Sequence, residues 1–252
     1  MAANNRRLSF IDPYHLLMKK DYEGGQCDIC LLELAGFDGY GCDSCNIHIH
    51  RTCADCFGET TSFSANQSSL TFKLSRSPPH VGRISCSICG GCCPPGTFVY
   101  HCTRYGYNMH PLCSKLPERA RSPSPFYQGH DLFLVYSPGY SCSACRYPLP
   151  MWHYSCCGCC SLKLHISCAS FGPPTATGVV GQRYNPRPPL LPPSLEAVTQ
   201  WGYGPPPIQV NYDGSGQSIV IATAKLLFHI MFGDLASPLG ELLSAVLNRR
   251  NE

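Results

Sequence analysis

No apolar stretch of this 252-residue chain approaches the roughly 20 residues needed to cross a bilayer. Residues 222–232 come nearest, but they are short and carry Lys225 and His229, so no membrane span is expected. The opening Met-Ala-Ala-Asn-Asn-Arg-Arg-Leu-Ser-Phe has neither the continuous apolar core nor the small-residue cleavage site of a secretory signal, and Asp12-Pro13 interrupts the apolar residues nearby. An intracellular protein of cytoplasm and/or nucleus, with reduced thiols, is therefore expected, and the Asn66-Gln67-Ser68 sequon is expected to carry no glycan. Also missing are a His-Glu-x-x-His helix, a glycine-rich phosphate loop, a nucleophile elbow, and the βαβ pattern that surrounds a redox-active Cys-x-x-Cys pair. Each absence removes a class of catalyst, and no enzymatic activity is expected. Twenty-three prolines and 23 glycines leave little room for long regular elements.

What the chain has in excess is cysteine and histidine. Of 19 cysteines and 10 histidines, only His229 lies beyond residue 170. One stretch reads Cys142-Ser-Ala-Cys145, eleven residues, Cys157-Gly-Cys-Cys160, four residues, His165, two residues, Cys168. An earlier one reads Cys27-Asp-Ile-Cys30, eleven residues, Cys42-Asp-Ser-Cys45, four residues, His50, two residues, Cys53. His15 precedes Cys27 by eleven intervening residues, and His130 precedes Cys142 by the same eleven, so seven positions agree in type and spacing. A Cys-x-x-Cys pair presents two thiolates from one turn of chain to a tetrahedral ion, and a His-x-x-Cys pair can complete such a set. Disulfides are the alternative for so many cysteines, but they belong to oxidising compartments. Paired spacing with histidine, and no export signal, favours zinc. Units of about 45 residues bury too little apolar surface to fold unaided, so metal must contribute much of their folding free energy.

In this register the chain resembles the divergent C-one domain family, the plant Cys/His-rich (CHP-rich) proteins related to the zinc domain of protein kinase C. The resemblance covers residues 13–168 in three repeats. It implies small zinc-stabilised domains of short β-strands with little helix, and metals that are interleaved. Cys27, Cys30, His50 and Cys53 would hold one ion, and His15, Cys42 and Cys45 a second, with Cys56 the candidate fourth ligand. Likewise Cys142, Cys145, His165 and Cys168 would hold one ion, while His130, Cys157 and Cys160 begin another that Cys156 or Cys159 would have to complete. The middle repeat departs from the pattern. Cys86, Cys89, His110 and Cys113 keep one full set and Cys102 keeps its place, but Tyr105 stands where its partner cysteine should be. Loss of that second metal is expected, with Tyr105 filling the space, although Cys92, Cys93, His80 and His101 remain open as substitutes. The expected zinc content is roughly four to five ions per chain, by the four-ligand rule.

Taken in order, repeat one spans residues 13–56, the degenerate repeat two 70–116, and repeat three 127–170. Residues 57–69 and 114–126 read as linkers, the second basic and broken by proline. Residues 171–207, dominated by Pro and Gly, read as a tether. Residues 208–250 read as a small segment comprising a hairpin through Ile221, a short apolar helix, and a second helix capped by Ser237-Pro238. Residues 46–50, 106–110 and 161–165 alternate polar and apolar, as half-buried strands do. That phase points His48 outward rather than at a metal.

Residues 12–56 carry eight acidic and three basic side chains, a net of −5; residues 70–121 carry one acidic and seven basic, a net of +6. Opposite neighbours can dock on one another, attract separate partners, or simply be solvated. A non-catalytic interaction scaffold with protein partners, in signalling or stress response, is what the resemblance implies. Diacylglycerol binding is not expected, because the parent domain's Gln-Gly pair is missing from residues 31–41 and 146–156. A chromatin or ubiquitin reader is an alternative: residues 27–89 satisfy the plant-homeodomain cysteine pattern, although Ile84 stands where tryptophan is usual, and a RING lacks its last cysteine pair. Single-stranded nucleic acid is another, through Tyr100, Tyr105 and Tyr107 among the arginines of repeat two.

Overall fold

The computed structural model describes residues 5–65, 68–78, 84–122, 125–127, 129–156, 161–171 and 237–249, together with residues 221, 223, 224 and 227. These residues form mostly small antiparallel sheets with little helix. The first sheet comprises β1 (Met18–Asp21), β2 (Asp38–Cys42) and β3 (Ile47–His50), side by side in that order. Its strands stay close because β2 carries Gly39, where a Cβ would lie 2.1 Å from the Ile49 carbonyl oxygen. Ile47 and Ile49 point into the core, while His48, on the opposite phase, lies edge-on to Tyr22 at 5.8 Å. The short helix α1 (Arg51–Cys56) starts where β3 ends.

Next come β4 (Thr60–Ala65) and β5 (Ser68–Arg76), the hairpin β6 (Ile84–Ser85) with β7 (Cys92–Cys93), and β8 (Phe98–Cys102) with β9 (Tyr107–Met109). The second sheet has the order β4-β5-β8-β9. The third, in the order β10-β11-β12-β13, is built from β10 (Arg119–Arg121), β11 (Asp131–Tyr136), β12 (Trp152–Cys156) and β13 (Lys163–Leu164). Helix α2 (Ile166–Phe171) follows it, and α3 (Pro238–Arg249) lies near the end of the chain.

Both expected linkers turn out to carry strands. Residues 57–69 supply β4 and the start of β5, because Thr60 to Ala65 suits an extended backbone and Phe63 can be buried against Phe72, edge-on at 6.4 Å. In residues 114–126, β10 pairs with β11; Ala120 is buried between Arg119 and Arg121, and both arginines bind the Asp131 carboxylate. The expected tether at 172–207 and the hairpin from 208 to 220 lie outside the described residues. Ile221, placed at the end of that hairpin, is instead helical, as are Thr223, Ala224 and Leu227.

The sheets share one core. Trp152 on β12 is buried edge-on to Phe63 of β4 (6.2 Å), Tyr107 of β9 (5.0 Å) and Tyr136 of β11 (5.0 Å), which joins the second and third sheets. Two more bonds fasten the third sheet: the Tyr154 hydroxyl donates to the Pro117 carbonyl (2.9 Å), and the Ser122 hydroxyl to the Ala169 carbonyl (2.6 Å). First and second sheets meet through Arg76. Its guanidinium donates to the carbonyls of Gly96 (2.6 Å), Cys45 (2.6 Å) and Asn46 (2.8 Å). The Phe98 N–H also donates to the Asp28 carbonyl (2.7 Å), and the Tyr100 hydroxyl to that of Gly58 (2.8 Å). The acidic and basic stretches thus abut through hydrogen bonds to main chain.

Helix α3 packs on α1 with Leu239, Leu242, Leu243 and Val246, the i, i+3, i+4, i+7 stripe of a one-sided helix. Ser237 Oγ accepts the Gly240 N–H (3.1 Å) as its N-cap. At the other end Arg249 does more than complement the helix dipole: its guanidinium donates to the Ala35 carbonyl and covers the Phe37 ring at 4.6 Å. Among the described residues no helix is long and apolar enough to cross a membrane.

Candidate metal centres

The Cys27–Cys30, Cys86–Cys89 and Cys142–Cys145 pairs each sit on a tight reversal. The Leu31 N–H donates to the Cys27 carbonyl (2.9 Å), and Cys27 N–H donates to that of Leu32 (2.9 Å). The same two bonds recur as Gly90 to Cys86 (2.8 Å) with Cys86 to Gly91 (2.7 Å), and as Arg146 to Cys142 (2.9 Å) with Cys142 to Tyr147 (2.8 Å). Such a turn puts the residue after the second cysteine in the left-handed region, at φ 62° for Leu31, 75° for Gly90 and 64° for Arg146. Glycine adopts this freely, whereas Leu31 and Arg146 bear strain on the order of 1 kcal/mol. A further bond lays each knuckle beside the strand leading to a histidine: Asp28 to His48 (2.9 Å), Ser87 to Asn108 (2.7 Å) and Ser143 to Lys163 (2.8 Å).

These turns gather three groups of four: Cys27, Cys30, His50 and Cys53; Cys86, Cys89, His110 and Cys113; Cys142, Cys145, His165 and Cys168. The ligand atoms within each lie no more than 4.8 Å apart. His50 Nδ1 is 3.3 Å from Cys30 Sγ and 3.7 Å from Cys53 Sγ. His110 Nδ1 is 3.3 and 3.9 Å from Cys89 and Cys113, and His165 Nδ1 is 3.3 and 3.9 Å from Cys145 and Cys168. Tetrahedral zinc with sulfur and nitrogen ligands has edges of about 3.5–3.8 Å, given its bond lengths. In every group the other ring nitrogen, Nε2, faces a carbonyl: Glu33 (2.9 Å), Cys92 (3.0 Å) and Pro148 (2.8 Å). That contact places the proton on Nε2 and leaves the Nδ1 lone pair facing the thiols, as metal-bound histidines require.

The electrostatics of the clusters favour a cation. Burial opposes ionisation of Cys27, yet hydrogen bonds from Cys30, Cys53 and His50 hold its thiol well below the ordinary value. Cys86 is lowered in the same way, burial being outweighed by Cys113 and Cys89, and Cys142 is lowered chiefly by Cys145 and Cys168. Burial should make the histidines less basic. Instead Cys89 and Cys86 push His110 well up, and Cys142 and Cys145 push His165 to about 10. Burial and the neighbouring thiols push Cys30, Cys53, Cys113 and Cys168 up instead, so one thiol of each set is held ionised and a bound divalent ion would have to displace the protons of the others.

A fourth group has a different composition: Asp12, His15, Cys42 and Cys45. Cys45 Sγ and Asp12 Oδ2 lie 3.2 and 3.3 Å from His15 Nδ1, and Asp12 Oδ1 accepts the N–H groups of Tyr14 and His15, both at 3.0 Å. Burial opposes ionisation of the Asp12 carboxyl, but hydrogen bonds from Cys42, Cys45 and those two amides lower its pKa. Cys45 is raised to about 11, first by its hydrogen bond to Asp12. Cys56, the expected fourth ligand, is not in this group. It sits half-buried at the end of α1, and Asp12 takes its place. Asp12 escapes sequence reading because an Asp before Pro signals a turn. Its position three residues before His15, within reach of the same ion, was the available clue.

The remaining expected ligands are placed as follows. Cys102 is buried but joins no such group among the described residues; its carbonyl accepts the Gly106 N–H (2.8 Å), closing the turn without metal. Tyr105 fills no interior space: it is 48% exposed and stacked on Tyr107 at 5.6 Å. Cys92 is exposed, Cys93 is buried near His110, and His101 Nδ1 faces Asn108 Oδ1 at 2.9 Å, so these three assemble no second site. His130 Nδ1 lies 3.7 Å from Cys156 Sγ. Cys157, Cys159, Cys160 and His80 lie outside the described residues. No family model matches the chain, and no curated protein or solved structure does either.

Proposed function

We propose that the chain is a non-catalytic, zinc-binding scaffold for protein contacts, made of three repeats of a C-one-like unit and acting inside the cell in signalling or stress response. One observation supports this above the others. In three clusters a histidine turns Nδ1 to three thiols and Nε2 to a carbonyl, a four-donor set that leaves zinc no open position for substrate. The grouping of Cys86 and Cys89 with His110 and Cys113 argues against a plant-homeodomain-like cross-brace, which would pair them with Cys42 and Cys45. Native mass spectrometry of the zinc-saturated chain is the direct test. Roughly four to five ions are expected from the four-ligand rule, and fewer than three would overturn the proposal.

A second reading, single-stranded nucleic-acid binding, rests on one surface feature. Tyr105 lies nearly parallel to Tyr107 at 14°, and the Arg104 guanidinium caps it at 5.2 Å. An exposed aromatic with a cation above it is a surface on which a base can stack, at about 1–3 kcal/mol per base. A mobility shift on single-stranded RNA that weakens with salt and with Tyr105→Ala is the expected result on this reading. No shift at low salt would remove it.

A further inference from the structure

We propose that Asp12 is the fourth ligand of a Cys42–Cys45–His15 zinc site, and that this site exchanges its ion ahead of the three Cys3His sites and ties occupancy to the junction of the first and second sheets. The proposal rests on the zinc-scaffold reading above and adds a division of labour to it. Three observations carry it. A hard carboxylate oxygen replaces a thiolate, which weakens the hold on borderline-soft zinc. The His15 side chain is 48% exposed, whereas His50, His110 and His165 are at most 5% exposed, so water and competing ligands reach this ion more readily than those of the three Cys3His sites. Asp12 itself is buried, with Oδ1 tied to the amides of Tyr14 and His15 and Oδ2 turned to the site. Those bonds keep the donor in place without an ion, so metal can leave without unfolding the segment.

The site joins two parts of the chain. Asp12 and His15 precede β1, while Cys42 and Cys45 bracket the turn between β2 and β3. The carbonyls of Cys45 and Asn46, on that turn, are the ones Arg76 of β5 grips. An ion that orders the turn strengthens that grip. By linkage, the grip in turn tightens binding of the ion.

The test uses the full, zinc-saturated chain and pyridylazoresorcinol as the competing chelator, with released zinc followed by absorbance and retained zinc by native mass spectrometry. One equivalent is expected to leave about tenfold or more faster than the rest. Asp12→Ala should bind one ion fewer than the unmodified chain. Asp12→Cys should restore the count and abolish the fast phase. Arg76→Ala should keep the count and speed the fast phase several-fold. Release in a single phase, or an unchanged count in Asp12→Ala, overturns the inference while leaving the scaffold reading intact. If Asp12→Ala does not fold, the release phase of Asp12→Cys decides, because persistence of the fast phase in that variant also overturns it. A chain that takes up no zinc at all refutes the scaffold reading itself.

Discussion

Excess chelator is expected to abolish amide-exchange protection across residues 13–168 of the zinc-loaded chain, and zinc added back should restore it. The three larger sheets contain strands of two to nine residues, and the apolar side chains they bury are interleaved with the cluster cysteines themselves. Apparent binding energies of structural zinc reach about 10–16 kcal/mol per site, comparable with or larger than the 5–15 kcal/mol net stability of a whole domain. Removing even one closed cluster therefore exceeds what packing can supply. Acid should act in the same direction, because the ligands bind as thiolates and neutral imidazole. The C-terminal helix should come away with the rest, since its apolar stripe rests on α1, which carries Cys53, and its Arg249 holds the loop at Ala35 and Phe37. Protection that survives excess chelator would show that the clusters are not what holds the sheets.

Replacing Trp152 with alanine is expected to remove about 3–5 kcal/mol from the stability of the zinc-loaded chain, the usual range for deleting a buried aromatic. Trp152 is the side chain shared by β4, β9 and β11, so its loss opens a cavity between two sheets rather than inside one. The metal count should not change, because none of its aromatic neighbours is a ligand. Trp152→Phe should be much milder. It keeps an aromatic ring at the same place and removes an indole N–H that is buried without a hydrogen-bond partner among the described residues. Chemical denaturation in excess zinc measures both. A loss below about 1 kcal/mol for the alanine variant would mean that the sheets are joined elsewhere.

Spacing made the ligands legible because coordination chemistry acts over short stretches of chain. A Cys-x-x-Cys turn and a His-x-x-Cys turn each present two donors from four residues, so Cys27, Cys30, Cys42, Cys45, His50 and Cys53 can be picked out as donors before any fold is known, while which pairs share an ion was implied only by the resemblance. The alternation in Ile47 and Ile49 likewise marks a strand by period alone. The linkers at 57–69 and 114–126 misled for the opposite reason. Their Ser, Thr, Pro and Arg are compatible with several conformations, and only pairing with β5 and β11 selects strand.

The sequence by itself determined the donor chemistry, the short elements and the N-cap at Ser237, since each depends on residues within about four positions of one another. Only the tertiary structure decided that Asp12, not Cys56, faces Cys42 and Cys45; that Trp152 binds sheet to sheet; and that Arg249 reaches Ala35. Those contacts link residues 30 to 214 positions apart, where many partners are chemically equivalent and packing geometry alone selects one.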